Sequence, residues 1–336
     1  MPDKIKVVPL AAESFGVRSM CTYVETPDLK ILLDAGVSLG PNRFGFPPHP
    51  REYEALAKCR ERISEVAEEA EVITLSHYHF DHYTPSFTDW CYNWSSADVA
   101  KQIYEGKTVL IKNHRAMINF SQRRRAWLFQ KTVGKHVGRL EVADSRTFEF
   151  GNTRLKFSDP VFHGAENSAL GWVLMTTVEH GDEKVLFAPD VQGPMCNSTL
   201  EMILAEAPQL LIMGGPPIYL MGFSVRDKDT QLGMQNLEKI VRQVPTTILE
   251  HHLLREKRWR ELCQPILDTA LKTGHTVVTA AEFAGEENNL LEGQRKQLFE
   301  TEPPNSDFSK WTKLPPSEKK MIRPPIEYTF SGPRKP

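Results

Sequence analysis

Cysteine is scarce in this chain of 336 residues. The five residues, Cys21, Cys59, Cys91, Cys196 and Cys263, are odd in number, far apart and without a CxxC pair. That excludes a disulfide framework and reads as free thiols in a reducing compartment. Long apolar runs are also absent. No stretch approaches the roughly 20 apolar residues of a membrane span. The first ten residues, charged at Lys4 and Lys6, lack the apolar segment of a signal peptide, so the expected location is cytoplasmic. Charge of one sign is missing too. Lys and Arg number 41 against 43 Asp and Glu, a formal net charge of −2. No whole-molecule field draws the protein onto nucleic acid or acidic lipid, although a local basic patch stays open. There is no internal repeat and no linker between two halves. Hydrophobic residues at 40% and charged residues at 25% leave an ordinary soluble globular chain, long enough to bury a sizeable core.

The first third predicts short strands over 5–8, 20–24 and 30–34, punctuated by Gly and Pro, with Pro27-Asp28 as a turn signal. Three-or-four spacing of apolar residues predicts a helix over 51–71. Val72-Ile73-Thr74-Leu75 then reads as a buried strand. A strand over 108–112 and a helix over 116–135 follow. Strand signals cover 147–150, 154–158, 170–178 and 184–188, the last two joined by Gly181-Asp182. Later residues alternate: strands at 210–213, 246–250 and 276–279, helices at 231–244 and 255–272, and a polar helix at 286–300. Residues 1–300 are expected to form one domain. Residues 301–336 are rich in proline, including Pro333 and Pro336, and read as an extended tail. Phe308, Trp311, Tyr328 and Phe330 are its candidate anchors.

The decisive segment is Ser76-His77-Tyr78-His79-Phe80-Asp81-His82, directly after the apolar strand. Neutral imidazole and carboxylate suit zinc, iron or manganese. A lone histidine here would be an ordinary core residue; four potential ligands within six residues are dense enough to serve two neighbouring metals. Other candidates sit in matching places. Asp190 follows 185–188, Gly214-Gly215-Pro216-Pro217 follows 210–213, and His251-His252 follows 246–250. Polar chemistry thus recurs past the C-terminal ends of apolar strands, where layered α/β proteins place their sites. His163, after Pro160, suits a further ligand. Neighbours on a strand face opposite ways, so only one of His251 and His252 is expected at the metal, with His251 the nearer choice.

The HxHxDH pattern, followed by a distant His, an Asp and a final His, resembles the metallo-β-lactamase superfamily. More narrowly, the chain resembles an uncharacterised, mainly archaeal family of predicted metal-dependent hydrolases. Segments 16–20, 31–36, 76–83, 190–194, 214–220 and 251–255 carry that likeness. The resemblance implies an α/β fold, the four-layer αββα sandwich with metals at one edge. It implies a first metal on His77, His79 and His163, a second on Asp81, His82 and the late histidine, and Asp190 bridging them. Two divalent ions, zinc with manganese or iron as alternatives, would generate hydroxide for hydrolysis. Asp81 is then expected to orient that hydroxide, and a protonated late histidine off the metal to act as general acid.

The substrate is less specified. Arg18, Gly214, Gly215 and Arg255 lie beside motif segments as candidate substrate-binding residues. Arg123-Arg124-Arg125, with Lys131, Lys135, His136 and Arg139, reads either as a phosphate-binding face or as a solvated helix surface. Trp127 and Phe129 interleave with these charges, for stacking on bases or for packing. A phosphodiester or other phosphorylated small molecule or nucleotide is favoured over a lactone, thioester or amide. A di-iron redox protein and a non-catalytic metal-binding protein are the readings from other classes.

Overall fold

Runs of β-branched and aliphatic residues become strands wherever Pro, Gly or a strand-end polar residue stops them. The computed structural model describes residues 2–328; Phe330, Pro333 and Pro336 lie outside that range. The first sheet has the order β1 (Lys6–Pro9), β2 (Thr22–Glu25), β3 (Lys30–Leu33), β4 (Val72–Leu75), β5 (Thr108–Ile111) and β6 (Arg139–Val142). β1 to β3 are antiparallel neighbours, and β3 to β6 run parallel. Next come β7 (Thr147–Phe150), β8 (Thr153–Phe157), the small hairpin β9 (Val161–Phe162) and β10 (Trp172–Val173), then β11 (Thr176–His180), β12 (Glu183–Ala188), β13 (Leu210–Gly214), β14 (Thr246–Glu250) and β15 (Thr276–Val278). The second sheet has the order β15-β14-β13-β12-β11-β8-β7, with β12 to β15 parallel.

The alternation of side chains fixes the layers. In β12, Val185 and Phe187 pack between the sheets with Leu32, Ile73 and Val109, while Leu186 and Ala188 join an outer cluster with Leu200, Leu237 and Ile266. The helices α4 (Asn197–Glu206), α5 (Asp227–Val241) and α7 (Gln264–Thr273) supply that outer cluster. On the other side α1 (Pro50–Glu69), α2 (Ala97–Tyr104) and α3 (Phe120–Lys131) cover the first sheet through residues such as Leu56, Ile63, Ile103 and Ala126. The result is the expected four-layer αββα sandwich.

Several predicted elements change. The helix over 116–135 is trimmed to α3, because Asn119 caps it, its side chain accepting the Gln122 N–H at 2.8 Å. The strand over 170–178 is split: the Leu174 N–H turns away to the Ser76 carbonyl (3.0 Å). The helix over 255–272 breaks into α6 (Trp259–Leu262) and α7, since Pro265 has no N–H to continue α6. The polar helix is α9 (Leu291–Thr301), after the short α8 (Ala280–Phe283). The tail is not structureless: α10 (Ser306–Thr312) is capped by Asn305, and α11 (Pro316–Met321) starts on proline. Phe308 and Trp311 are buried against Tyr53, with ring centroids 5.8 and 5.3 Å away.

Candidate metal centre

The parallel strands β3, β4, β12 and β14 all release polar residues that meet in one cluster. Asp34 follows β3, His77 to His82 follow β4, Asp190 follows β12 and His251 follows β14. His163 comes from the turn between β9 and β10. Three of these strand-end residues, Asp34 (φ 52°), Asp190 (φ 53°) and His251 (φ 64°), sit in the left-handed region. That conformation costs an L-residue about 1–2 kcal/mol and marks strain held at a site. The loop from His77 to His82 is seated by Gly36, where a Cβ would fall 2.2 Å from the Tyr83 nitrogen.

Asp190 is the hub, buried at 1% exposure. Its Oδ2 lies 3.2 Å from His77 Nε2, 3.2 Å from His82 Nε2 and 3.0 Å from His163 Nε2. Its Oδ1 lies 3.1 Å from His251 Nε2 and 3.4 Å from His252 Nε2. The His79 ring stands 4.6 Å from that of His77 and 5.0 Å from that of His163. Asp81 Oδ2 is 3.5 Å from His251 Nε2. Donor atoms of His77, His79, His163 and Asp190 all fall within 4.8 Å of one another, and so do those of Asp81, His82 and His251. The Nε2 atoms of His77, His82 and His163 and Oδ1 of Asp190 are buried without a hydrogen-bond partner. Orphaned polar atoms are costly in an interior. A cation between them satisfies every one, so the residues present fit a metal pair.

Charge states agree. Burial pushes His77 down to about 3, with His82 beside it acting the same way. Burial and the neighbouring His77 and His163 hold His79 well below the usual histidine range. Burial alone would raise Asp190 and Asp81, but the surrounding imidazoles outweigh it and hold both ionised. Neutral imidazole beside ionised carboxylate is the state metal ligands require. His82 differs: burial opposes its charge, yet Asp190 and Asp34 raise it well above the ordinary value. A metal ion can replace that proton.

No family model matches the chain. It is 42% identical over 294 residues to a UPF0282 protein of Methanopyrus kandleri, covering 88% of this chain and 99% of the relative. It is 43% identical over 305 residues to a UPF0282 protein of Methanocaldococcus jannaschii, covering 90% and 100%. The chain belongs to the UPF0282 family. Among solved structures, it is similar to a possible metal-dependent hydrolase from Veillonella parvula, with 12% identity, a TM-score of 0.47 and 78% of this chain against 94% of that one. A metal-dependent hydrolase of the β-lactamase superfamily shows 13% identity, a TM-score of 0.46 and coverage of 82% and 96%.

In this UPF0282 chain the expected opposite facing of His251 and His252 does not occur. β14 ends at Glu250, and the turn at His251 brings both rings to the cluster, 4.6 Å apart. The two glycines also differ from expectation. The Gly215 N–H is donated to the Glu250 carbonyl (2.9 Å) and is not free for a substrate. Gly214 closes β13 and leaves room for Asp190, whose nitrogen would lie 3.1 Å from a Cβ there. Arg18 is held by Glu292 through two contacts of 2.7 Å, and the Arg255 Nε–H donates to Glu13. Both arginines still line a cleft of about 700 Å³ that opens onto Asp81, His163 and His252.

Sequence reasoning missed Asp34, which is fully buried. His82 Nδ1 donates to its Oδ2 (2.7 Å), and the Ser76 N–H donates to its Oδ1 (2.7 Å). The Ser76 hydroxyl also donates to Asp34 and lies 3.0 Å from His77 Nδ1. With that hydroxyl proton committed, Nδ1–H of His77 donates to Ser76 Oγ. Asp34 therefore turns the Nε2 lone pairs of both His77 and His82 toward Asp190. Its signal was available: it follows an apolar strand as Asp190 does. Glu13, Tyr219 and Glu292 gave none, because their partners lie far along the chain.

Proposed function

We propose that this UPF0282 chain is a metal-dependent hydrolase of the metallo-β-lactamase type, acting on a phosphodiester or other phosphorylated compound. The observation that carries the reading is the convergence of five imidazoles on the one buried carboxylate of Asp190. His77, His79 and His163 would hold one divalent ion, and Asp81, His82 and His251 the other, with Asp190 between them. Zinc suits this donor set best, and manganese or iron are accommodated by the same ligands. Bound there, the metals supply Lewis acidity, polarising a substrate oxygen and lowering the pKa of a water from 15.7 toward about 7.

The remaining work falls to the chain. Asp81, ionised and 17% exposed to the cleft, orients the attacking water by accepting its hydrogen bond. Arg255 Nη1 donates to His252 Nδ1 at 3.1 Å. An imidazole that accepts at Nδ1 carries its proton on Nε2. Nε2 of His252, 3.4 Å from Asp190 Oδ1 in a ring that lines the cleft, would therefore be a hydrogen-bond donor rather than a metal ligand. Burial, and then the Arg255 guanidinium, hold His252 well below the usual histidine range, so the expected protonated general acid gives way to a neutral donor for the developing negative charge. His251 Nδ1 lies 3.5 Å from the Glu13 carboxylate and 3.4 Å from Arg255 Nη2, while its Nε2 approaches both Asp190 Oδ1 (3.1 Å) and Asp81 Oδ2 (3.5 Å) and is the atom placed for the metal. Arg255 Nη1 also donates to the Tyr219 hydroxyl (3.2 Å), freeing that hydroxyl's own proton for a substrate oxygen. Arg125 lines the cleft with no carboxylate partner among the described residues, which favours an anionic substrate.

The test is metal content of the purified protein by mass spectrometry, alongside turnover of bis-p-nitrophenyl phosphate. About two metals per chain with turnover is the expected outcome. Two metals with activity only on lactones or thioesters would overturn the substrate class. Absence of metal after reconstitution would overturn the whole reading.

A further inference from the structure

The stretch from Gly106 to Leu140 contains no Asp or Glu, while Lys and Arg recur through it. In a chain of net charge −2 this is a concentrated basic segment. It contains α3, whose buried face is Gln122, Ala126 and Phe129. The opposite face carries Phe120, Arg124, Trp127 and Lys131, at helical positions i, i+4, i+7 and i+11. All four are exposed, Phe120 at 83% and Trp127 at 60%. Aromatic and cation thus alternate along one solvent-facing stripe. Phe129 packs in the core, but Trp127 does not. Neither Arg124 nor Lys131 has a carboxylate partner among the described residues. Exposed apolar residues scattered singly need no explanation; an ordered stripe of this kind points to a ligand.

The stripe is continuous with the cleft. Asn119 and Gln122 side chains donate to the Leu170 carbonyl (2.8 Å each), and Leu170 lines the cleft. Arg125, one residue beyond Arg124, lines it too, with its guanidinium 4.8 Å from the centre of the Phe80 ring in the metal-site loop. At the other end, Lys131, Lys135 and His136 border a hollow of about 320 Å³. Twelve helical residues span about 18 Å, the length of about five stacked nucleotides at 3.4 Å each.

We propose that the outer face of α3 is a platform for a single-stranded polynucleotide, which passes from the basic hollow along Lys131, Trp127, Arg124 and Phe120 to the cleft. The bases stack on the two rings and the phosphates meet the cations. Charge complementarity and alternation favour this partner over an anionic membrane, which would ask for a contiguous apolar edge beneath the cations. The proposal deepens the hydrolase reading by naming its substrate class, but binding at α3 does not require turnover.

The experiment is fluorescence anisotropy of labelled twelve-nucleotide oligouridylate and oligothymidylate with the full chain as purified, with probe integrity checked on a gel. Micromolar binding of at least one strand is expected at 50 mM salt. Trp127→Ala should weaken it about tenfold. Arg124→Ala with Lys131→Ala should flatten the log–log salt dependence by about 1.4, at 0.7 per phosphate contact. Thermal midpoints of these exposed-site variants should match the parent chain. The proposal is overturned by absence of binding to both strands, by binding that neither variant set alters, or by a patch that captures phosphatidylserine vesicles and no oligonucleotide. A catalytically silent protein that binds in the expected manner would fail the hydrolase reading alone.

Discussion

Removing His251 and removing His252 should have different consequences, although the two residues are adjacent and their rings are 4.6 Å apart. The difference rests on what each ring meets. Arg255 donates to His252 Nδ1, so the proton of that ring sits on Nε2, 3.4 Å from Asp190 Oδ1 at the cleft wall. His251 Nε2 instead approaches both Asp190 Oδ1 (3.1 Å) and Asp81 Oδ2 (3.5 Å). His252→Ala should therefore retain both metals and lose one hydrogen bond to the developing oxyanion. Loss of one such donor costs about 2.7–4 kcal/mol, or 10²–10³ in kcat, with KM little changed. His252→Gln, which keeps an N–H donor, should recover part of that. His251→Ala should lose one equivalent of metal, and with it nearly all turnover. Metal stoichiometry by mass spectrometry and kcat for bis-p-nitrophenyl phosphate separate the two. If His252→Ala sheds a metal while His251→Ala keeps both, the tautomer argument is wrong and the roles are exchanged.

Asp34→Asn preserves shape but removes the charge that orients His77 and His82, and should lower metal affinity 10–100-fold in competition with a chelating dye; unchanged affinity would remove Asp34 from the site. Stability of the metal-stripped chain should fall as pH drops from about 6.5 toward 3. Burial holds His77 near 3 when folded, so the unfolded chain takes up the proton first; His82 works in the opposite sense above 6.5, and chemical denaturation across that range reads the balance. Arg295→Met should cost about 3–5 kcal/mol in urea unfolding, because it strands the buried Glu52 carboxylate, to which Arg295 donates at 2.7 and 2.8 Å. A loss under 1 kcal/mol would show that Glu52 is protonated or solvated there.

The sandwich and most of the cluster were legible because both follow short-range rules. β12 alternates inner and outer core residues one by one, and its pattern is visible as Val185-Leu186-Phe187-Ala188. Ligand types in one loop after a buried strand announce a metal before any tertiary contact is known. What could not be read depends on residues far apart in the chain. Glu13 meets Arg255 across 242 positions, and Glu292 meets Arg18 across 274; no periodicity links them. The helices α10 and α11 hide behind proline content, since proline at a first turn starts a helix as readily as it ends one.

The expected opposite facing of His251 and His252 lapsed at one backbone angle. Alternation is a rule about extended chain, and it lapses where the strand stops. Asp34, Asp190 and His251 all occupy left-handed turns immediately beyond the apolar strands or one residue later. Asp and His are among the non-glycine residues that enter this region most often, but the preference is too weak to locate from sequence. Glycine would relieve the strain at each position, yet it would delete a ligand or the residue that orients one. The strain is thus retained where a side chain is required, and it swings that side chain over the end of the sheet. The same turn that hides the placement of the late histidines allows two adjacent rings to share Asp190, with Arg255 reaching Nδ1 of both and Asp81 meeting Nε2 of His251.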